Sequence, residues 1–152
     1  MTANNAAPAF ATIMFLTGVG IPILAALNGG LGARLGSPMA ASMILFGLAF
    51  LIATTGALLT GSVGQMRFTP DIPAHFYFGG LFVAFYVIAV TFIAPKFGVG
   101  NAIFFVLVGQ LISAATIDHF GLVGALRSAI DLKRVAGIAL MIAGVWLARR
   151  TG

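Results

Sequence analysis

Long apolar runs separated by short polar stretches dominate this chain. Five runs approach or reach the length of a membrane helix, about 17–25 residues, and they predict helices at residues 9–27, 38–59, 74–94, 101–117 and 135–148. The fifth run has only 14 residues, but it is flanked by basic side chains that can extend to both headgroup layers: Lys133, Arg134, Arg149 and Arg150. The pattern predicts an all-α integral membrane protein whose residues 1–152 form a single five-helix domain, with four spans as the alternative.

Local signals modify this pattern at two places. Ser37 followed by Pro38 combines a favoured N-cap with a favoured first helical residue, so the second helix should begin there. Near the centre of the first helix, Gly18, Gly20 and Pro22 predict either a kink relieved by a neighbouring helix or a helix break that lines a cavity.

Residues 121–134 differ from the apolar runs because their apolar and charged positions segregate at helical spacing. The apolar stripe consists of Leu122, Leu126, Ala129 and Ile130, and the opposite side carries Arg127, Asp131 and Arg134. This arrangement predicts an amphipathic helix in the headgroup region.

Composition supports lipid as the solvent for most of the surface. Hydrophobic residues make up 61% of the 152 residues and charged residues only 7%, whereas soluble domains carry roughly a quarter charged residues. The net charge of +5 is spread over loops, so nucleic acid is not an expected partner. Cysteine is absent, and the sequence shows no nucleophile–base pair and no metal-ligand cluster. We therefore expect neither an enzyme, nor a cofactor, nor a metal site.

Gln110 is the most prominent polar residue inside a predicted span. It lies near the bilayer midplane and shares a helix face with Val106, Ser113 and Ala114. An unsatisfied amide in hydrocarbon costs several kcal/mol, so this side chain needs partners. It either joins two helices through a hydrogen bond or lines a neutral polar site, and the sequence leaves both interpretations open.

Other candidates lie in or near the helices. The Tyr86 hydroxyl, near the midpoint of the third helix, needs a partner, and we favour a structural hydrogen bond over a ligand contact. Thr17 is a further pathway candidate, and Asn28, Asn101 and Trp146 are weaker ones; Asn28 and Asn101 are predicted to lie at helix ends, and Trp146 in the interfacial belt. Asp118 and His119 end the fourth helix, where they either anchor it or form a proton-exchanging pair, because histidine titrates near working pH.

The distribution of basic residues bears on orientation in the membrane. With five alternating spans, each side of the membrane receives four Lys or Arg residues: Arg67, Arg127, Lys133 and Arg134 on one, and Arg34, Lys96, Arg149 and Arg150 on the other. Because the excess of basic residues normally sets orientation, this balance predicts insertion in both directions and an antiparallel dimer. A single orientation set by other cues is the alternative.

Several motifs resemble the YdcZ family of the drug/metabolite transporter superfamily. They are L-N-G-G-L-G-A-R-L-G-S-P-M-A-A-S at 27–42, A-P-K-F-G at 94–98, V-G-Q-L-I-S at 108–113 and I-D-H-F-G at 117–121. The similarity covers nearly the whole chain in order and spacing, and G-Q followed by D-H-F-G is its most specific part. One position departs from the family pattern: Leu24 stands where a Gln often precedes L-N, which puts any substrate contact of that Gln in doubt here.

The resemblance implies a multi-pass protein of the bacterial inner membrane with an exporter role. Family members occur as single chains, paired genes or fused duplicates, and ten-helix relatives consist of two inverted five-helix halves. This implies half of a ten-helix assembly, formed as an antiparallel homodimer or as a heterodimer with a homologous five-helix chain in the lipid bilayer.

The expected function is secondary transport or export of a small neutral or amphipathic solute. The sequence contains no Glu and no Asp in the middle of a predicted helix, which disfavours exchange of cations for protons at a buried carboxylate. The candidate pathway residues are Gln110, Ser113, Tyr86, Asn28 and Thr17. The alternatives are a dual-topology ion or small-solute channel, since fluoride channels carry a turn similar to G-G-L-G-A-R-L-G, and a non-transporting packing subunit of a heteromeric complex.

Overall fold

The structure, a computed structural model, describes residues 3–67, 69 and 71–148. Within these residues lie five α-helices: α1 (Ala3–Leu35), α2 (Pro38–Leu59), α3 (Gly79–Phe97), α4 (Val99–Phe120) and α5 (Leu132–Ala148). Short 3-10 turns occupy Ser62–Gln65, Ala74–Phe78 and Leu122–Gly124. Four segments are long and apolar enough to cross a membrane: Ala7–Leu35, Pro38–Leu59, Ala74–Phe97 and Val99–Phe120. The predicted all-helical membrane fold is confirmed, while Arg149 and Arg150 of the charge count lie outside the described residues.

Helix α1 is longer than predicted. Its 33 residues measure about 50 Å at 1.5 Å per residue, against a hydrocarbon core of about 30 Å. The helix continues through Pro22, so the predicted break at Gly18, Gly20 and Pro22 does not appear as an interruption. In hydrocarbon the freed backbone groups have no water to bind, which favours keeping the helix intact around a proline.

The glycines after residue 27 also continue the helix, although they read as a turn in the sequence. They lie where other parts of the chain approach closely. A Cβ atom at Gly29 would lie 3.1 Å from Pro95 Cγ, and one at Gly32 would lie 3.1 Å from Pro38 Cα. These glycines therefore allow close packing, and the turn comes only at Gly36, whose φ of 65° is left-handed.

Helix α2 has the bounds that the sequence predicts. The Ser37 side chain accepts a hydrogen bond from the Ala40 N–H at 3.1 Å, and Pro38 is the first helical residue. The hydroxyl thus satisfies one of the backbone donors that a helix start leaves free.

The amphipathic helix predicted for residues 121–134 is wrong. Residues 125–131 are not helical, because the chain turns sharply after α4 with left-handed φ angles at Gly121 (63°), Val123 (54°) and Gly124 (79°). Asp131 then caps α5, its carboxylate accepting the Arg134 N–H at 2.7 Å. Helix α5 consequently begins at Leu132, three residues before the predicted start, and has 17 residues.

The chain divides into two compact units, Met1–Lys96 and Phe97–Gly152. In the first, α1 packs against α2, and the buried side chains are mostly small: Ala25, Asn28, Ala41, Ser42, Val87, Val90, Thr91 and Ala94. In the second, α4 contacts α5. Large apolar side chains such as Phe15, Phe50 and Phe85 remain about 70% exposed, as lipid-facing groups do. That one domain holds all five helices stays a prediction.

Candidate functional site

Asn28 forms a buried hydrogen bond between α1 and α3. Its side chain is 5% exposed, and Nδ2 donates to Thr91 Oγ1 at 2.5 Å. The Thr91 hydroxyl in turn donates to the Val87 carbonyl at 2.7 Å. Asn28 therefore lies inside α1, seven residues before its last residue, and the prediction that it marks a helix end is wrong. Its visible role is to join two helices.

The packing around this bond is close. Besides the approach of Gly29 to Pro95, a Cβ atom at Gly32 would lie 3.5 Å from Thr91 Cγ2 and 3.6 Å from Ala41 Cβ. Small residues let the helix backbones approach, which brings the Asn28 amide within hydrogen-bond reach of Thr91. We call Asn28, Gly29, Gly32 and Thr91 the packed corner.

Gln110 has the opposite environment. It is the twelfth of the 22 residues of α4, its side chain is exposed, and it has no hydrogen-bond partner within the described part of the chain. Ser113, one turn further along, is exposed as well, and so is the small side chain of Ala114 beside it. We call Val106, Gln110, Ser113 and Ala114 the α4 face; it places a neutral amide and a hydroxyl at mid-span.

Tyr86 also carries an unsatisfied polar atom. Its hydroxyl is buried and has no hydrogen-bond partner among the described residues. The structural hydrogen bond that we predicted for it is therefore not formed within that part of the chain. A buried hydroxyl normally finds a partner, and a pathway role for Tyr86 stays a prediction.

Thr17 and the neighbouring glycines lie on an exposed part of α1, residues 7–20. The Thr17 hydroxyl donates to the Ile13 carbonyl at 2.9 Å, which satisfies it within its own helix. A Cβ atom at Gly18 or Gly20 would meet no atom within 4 Å. The structure thus leaves space around Gly18 and Gly20, and a pathway role for Thr17 stays a prediction.

The acid and base at the end of α4 bind separate partners. The Asp118 carboxylate pairs with the Arg134 guanidinium at 2.5 Å, with both side chains about one-third exposed. His119 Nδ1 accepts the Ile130 N–H at 3.0 Å. A ring nitrogen that accepts a hydrogen bond carries no proton, so Nε2 is the nitrogen of His119 that can donate one.

Backbone groups complete this cluster. The Ser128 N–H donates to the Asp118 carbonyl at 2.8 Å, and Arg127 Nε donates to the His119 carbonyl at 3.3 Å. These bonds satisfy carbonyls that a helix end leaves free. The contacts are those of an anchored helix end, one of the two interpretations that the sequence left open, and an exposed ion pair of this kind adds no more than about 1 kcal/mol.

An open apolar groove of about 500 Å³ lies along α3 beside the start of α2. One wall consists of residues 36–39, and the other of Phe85, Ile88, Ala89, Phe92 and Ile93. At one end, Lys96 Nζ lies 3.8 Å from the centroid of the Phe92 ring, in cation–π geometry.

The sequence did not reveal the contacts of three residues. Thr91 is the partner of Asn28, Arg134 is the partner of Asp118, and Asp131 caps α5. A lone hydroxyl in an apolar run marks Thr91 as a position in need of explanation, and an Asp just before an apolar run is an N-cap signal. No pattern along the chain indicates the pairing of Asp118 with a residue sixteen positions later.

Apolar helices long enough to span a membrane and exposed large apolar side chains define a multi-pass helical membrane protein. Among the described residues no group of His, Asp or Glu could hold a metal ion. The sequence model of the family described as "Putative inner membrane exporter, YdcZ" matches residues 9–147. The chain belongs to this family, which places it in the inner membrane as a multi-pass protein of an exporter family. Comparisons with curated proteins and with solved structures found no match.

Proposed function

We propose that this chain exports a small neutral or amphipathic solute and that two copies in opposite orientations form the transport unit. The observation that carries the proposal is the state of Gln110, an exposed amide at mid-span without a partner in the described part of the chain. The chain belongs to an exporter family, and a polar face within a span is what a transport pathway requires.

The free-energy cost of leaving the Gln110 amide without a hydrogen bond in the membrane supports a partner outside the chain. A polar group left unsatisfied in hydrocarbon costs several kcal/mol, and lipid tails offer no hydrogen bonds. A second α4 face would supply another Gln110 and another Ser113, so that donors and acceptors could pair with each other or with a solute between them. A small chain also encloses a pathway more easily as a dimer than alone.

The chemistry of the face favours a solute without a full charge. An amide and a hydroxyl donate and accept hydrogen bonds but carry no charge. The three acidic residues are Asp71, Asp118 and Asp131. Only Asp118 lies inside a candidate span; it stands in the last turn of α4, and its carboxylate is paired with Arg134. The site thus lacks the mid-span carboxylate that cation–proton exchange would use.

Antiparallel pairing can be tested by cross-linking at the α4 face. Val106 and Ala114 lie four residues on either side of Gln110 and about 12 Å apart along the helix axis. In an antiparallel pair crossing at Gln110, residue 106 of one copy lies beside residue 114 of the other. In a parallel pair, 106 lies beside 106. Disulfides need Cα atoms within about 7 Å, so the two arrangements give different products.

The experiment uses two differently tagged copies, one with Val106→Cys and one with Ala114→Cys, co-expressed in membranes and oxidised. The chain has no cysteine of its own, so each product is assigned without background. We expect mixed disulfides between the two variants and few between identical ones. Ile112→Cys, on the opposite side of α4, is the matched control and should cross-link with neither.

Products joining 106 to 106 would contradict the antiparallel dimer, and the absence of every disulfide would contradict a homodimer at this face. An independent measurement is labelling of cysteines at residues 2 and 151. Opposite insertions expose each cysteine to both sides of the membrane, whereas labelling from one side only would contradict dual topology.

A further inference from the structure

We propose that the apolar groove along α3 binds the acyl chain of an anionic membrane lipid, whose headgroup phosphate pairs with Lys96. This site shares no residue with the α4 face and does not depend on which solute is exported. The inference rests on the direction of the groove, the chemistry of its walls and the position of one cation.

The groove has the shape and lining of a hydrocarbon site. Its volume of about 500 Å³ lies within the range of about 300–1,000 Å³ that small-molecule sites occupy. Apart from Ser37, whose hydroxyl caps α2, its walls are apolar or glycine. Such walls offer a hydrogen-bonding solute no directional contacts, but they suit an alkyl chain.

The groove runs along the helix axis. Its α3 wall extends from Phe85 to Ile93, eight residues or about 12 Å. Lys96 follows at the end of this wall, in the last turn of α3. A bilayer lipid has the same layout, with a charged headgroup at the membrane surface and a chain that extends inward from it.

The cation at the mouth has no acidic partner among the described residues. Lys96 Nζ lies over the ring of Phe92, which itself lines the groove. Arg34, in the last turn of α1, lies two residues before Gly36 at the other wall. The three acids of the chain are Asp71, Asp118 and Asp131, and none belongs to the groove. The mouth therefore complements a negative headgroup, as basic pockets between membrane helices do.

Competition between lipids tests the site. The full-length protein in neutral detergent is incubated with phosphatidylglycerol or phosphatidylcholine of the same chains, and retained lipid is counted by native mass spectrometry. We expect phosphatidylglycerol to be retained about fivefold more strongly, the effect of one basic residue at an anionic surface. Lys96→Gln should reduce its retention to that of phosphatidylcholine, while Arg67→Gln, a basic residue outside the groove, should leave it unchanged.

A second variant tests the apolar part. Ala89→Phe places a ring in the groove and should lower retention of both lipids, whereas Ala49→Phe, on an exposed part of α2, should not. Glycerol phosphate, the headgroup without chains, should not compete. Equal retention of the two lipids, or wild-type retention by Lys96→Gln in protein with unchanged melting, would overturn the proposal. Competition by glycerol phosphate would show a free-phosphate site and overturn it too.

Discussion

The packed corner and the α4 face place the same chemical group in opposite surroundings. Asn28 and Gln110 are both carboxamides within long apolar helices. Asn28 is buried, and its amide donates to Thr91, while Gln110 is exposed and has no partner within the described residues. Since hydrocarbon penalises both equally when unsatisfied, the first amide serves the fold of the chain and the second is available to something outside it.

The largest effect should come from removing the unsatisfied amide. Gln110→Ala should reduce export to the level of cells that lack the protein and leave the melting temperature unchanged, because the amide is exposed and has no hydrogen-bond partner within the described residues. Comparing small molecules in the medium of cells that express either form measures this, and also identifies the solute. Gln65→Ala, in the loop after α2, is the control and should export normally.

Loss of stability in Gln110→Ala, with export retained by the protein that remains folded, would contradict this view of the α4 face. The amide would then act like Asn28, as a hydrogen bond between helices, and the comparison between the two carboxamides would fail.

A steric change should give the next largest effect, and only at the packed corner. Gly32→Val adds atoms where a Cβ would lie 3.1 Å from the backbone of Pro38, and overpacking of this kind costs about 1–3 kcal/mol. Gly109→Val, next to Gln110, adds the same atoms where nothing lies within 4 Å. Thermal melting in detergent should show a lower midpoint for the first variant alone. Equal destabilisation by both would mean that the α4 face is packed too.

The smallest effect should come from the hydrogen bond of the packed corner. Asn28→Leu keeps the number and branching of the side-chain heavy atoms and removes the bond to Thr91, at a cost of about 0.6–2 kcal/mol. A double-mutant cycle with Thr91→Val measures the coupling between the two side chains. Thr17→Val, which removes a hydroxyl bonded only within its own helix, is the control. Full additivity of Asn28→Leu and Thr91→Val would contradict a hydrogen bond that stabilises this corner.

Much of the fold follows from the apolar runs, because lipid requires long helices whatever the details of packing. Each of the five predicted spans overlaps one helix of the structure. The bounds of α2 are confirmed, since Ser37 and Pro38 define its start locally. The end of α1 was misplaced by eight residues. Paired glycines fit both a turn and a close helix contact, and only the approach of Pro95 and Pro38 decides between them.

The candidate site is less predictable from the sequence, because it depends on contacts between residues that are far apart along the chain. The sequence places Gln110 at mid-span but cannot show that Asn28 has a partner 63 positions away. Likewise, the cluster at the end of α4 depends on Arg134 and on the backbone of residues 128–130. Spacing along one helix does not report such contacts.

The length of α5 determines how firmly the chain is held in one orientation as it enters the membrane. Seventeen residues measure about 26 Å, roughly one helical turn less than the hydrocarbon core. If α5 crosses, each side receives four basic residues; if it stays at the surface, the split becomes six and two, which would fix the orientation. A length difference of about one helical turn thus decides whether α5 crosses the membrane, and with it whether the chain can insert in both orientations.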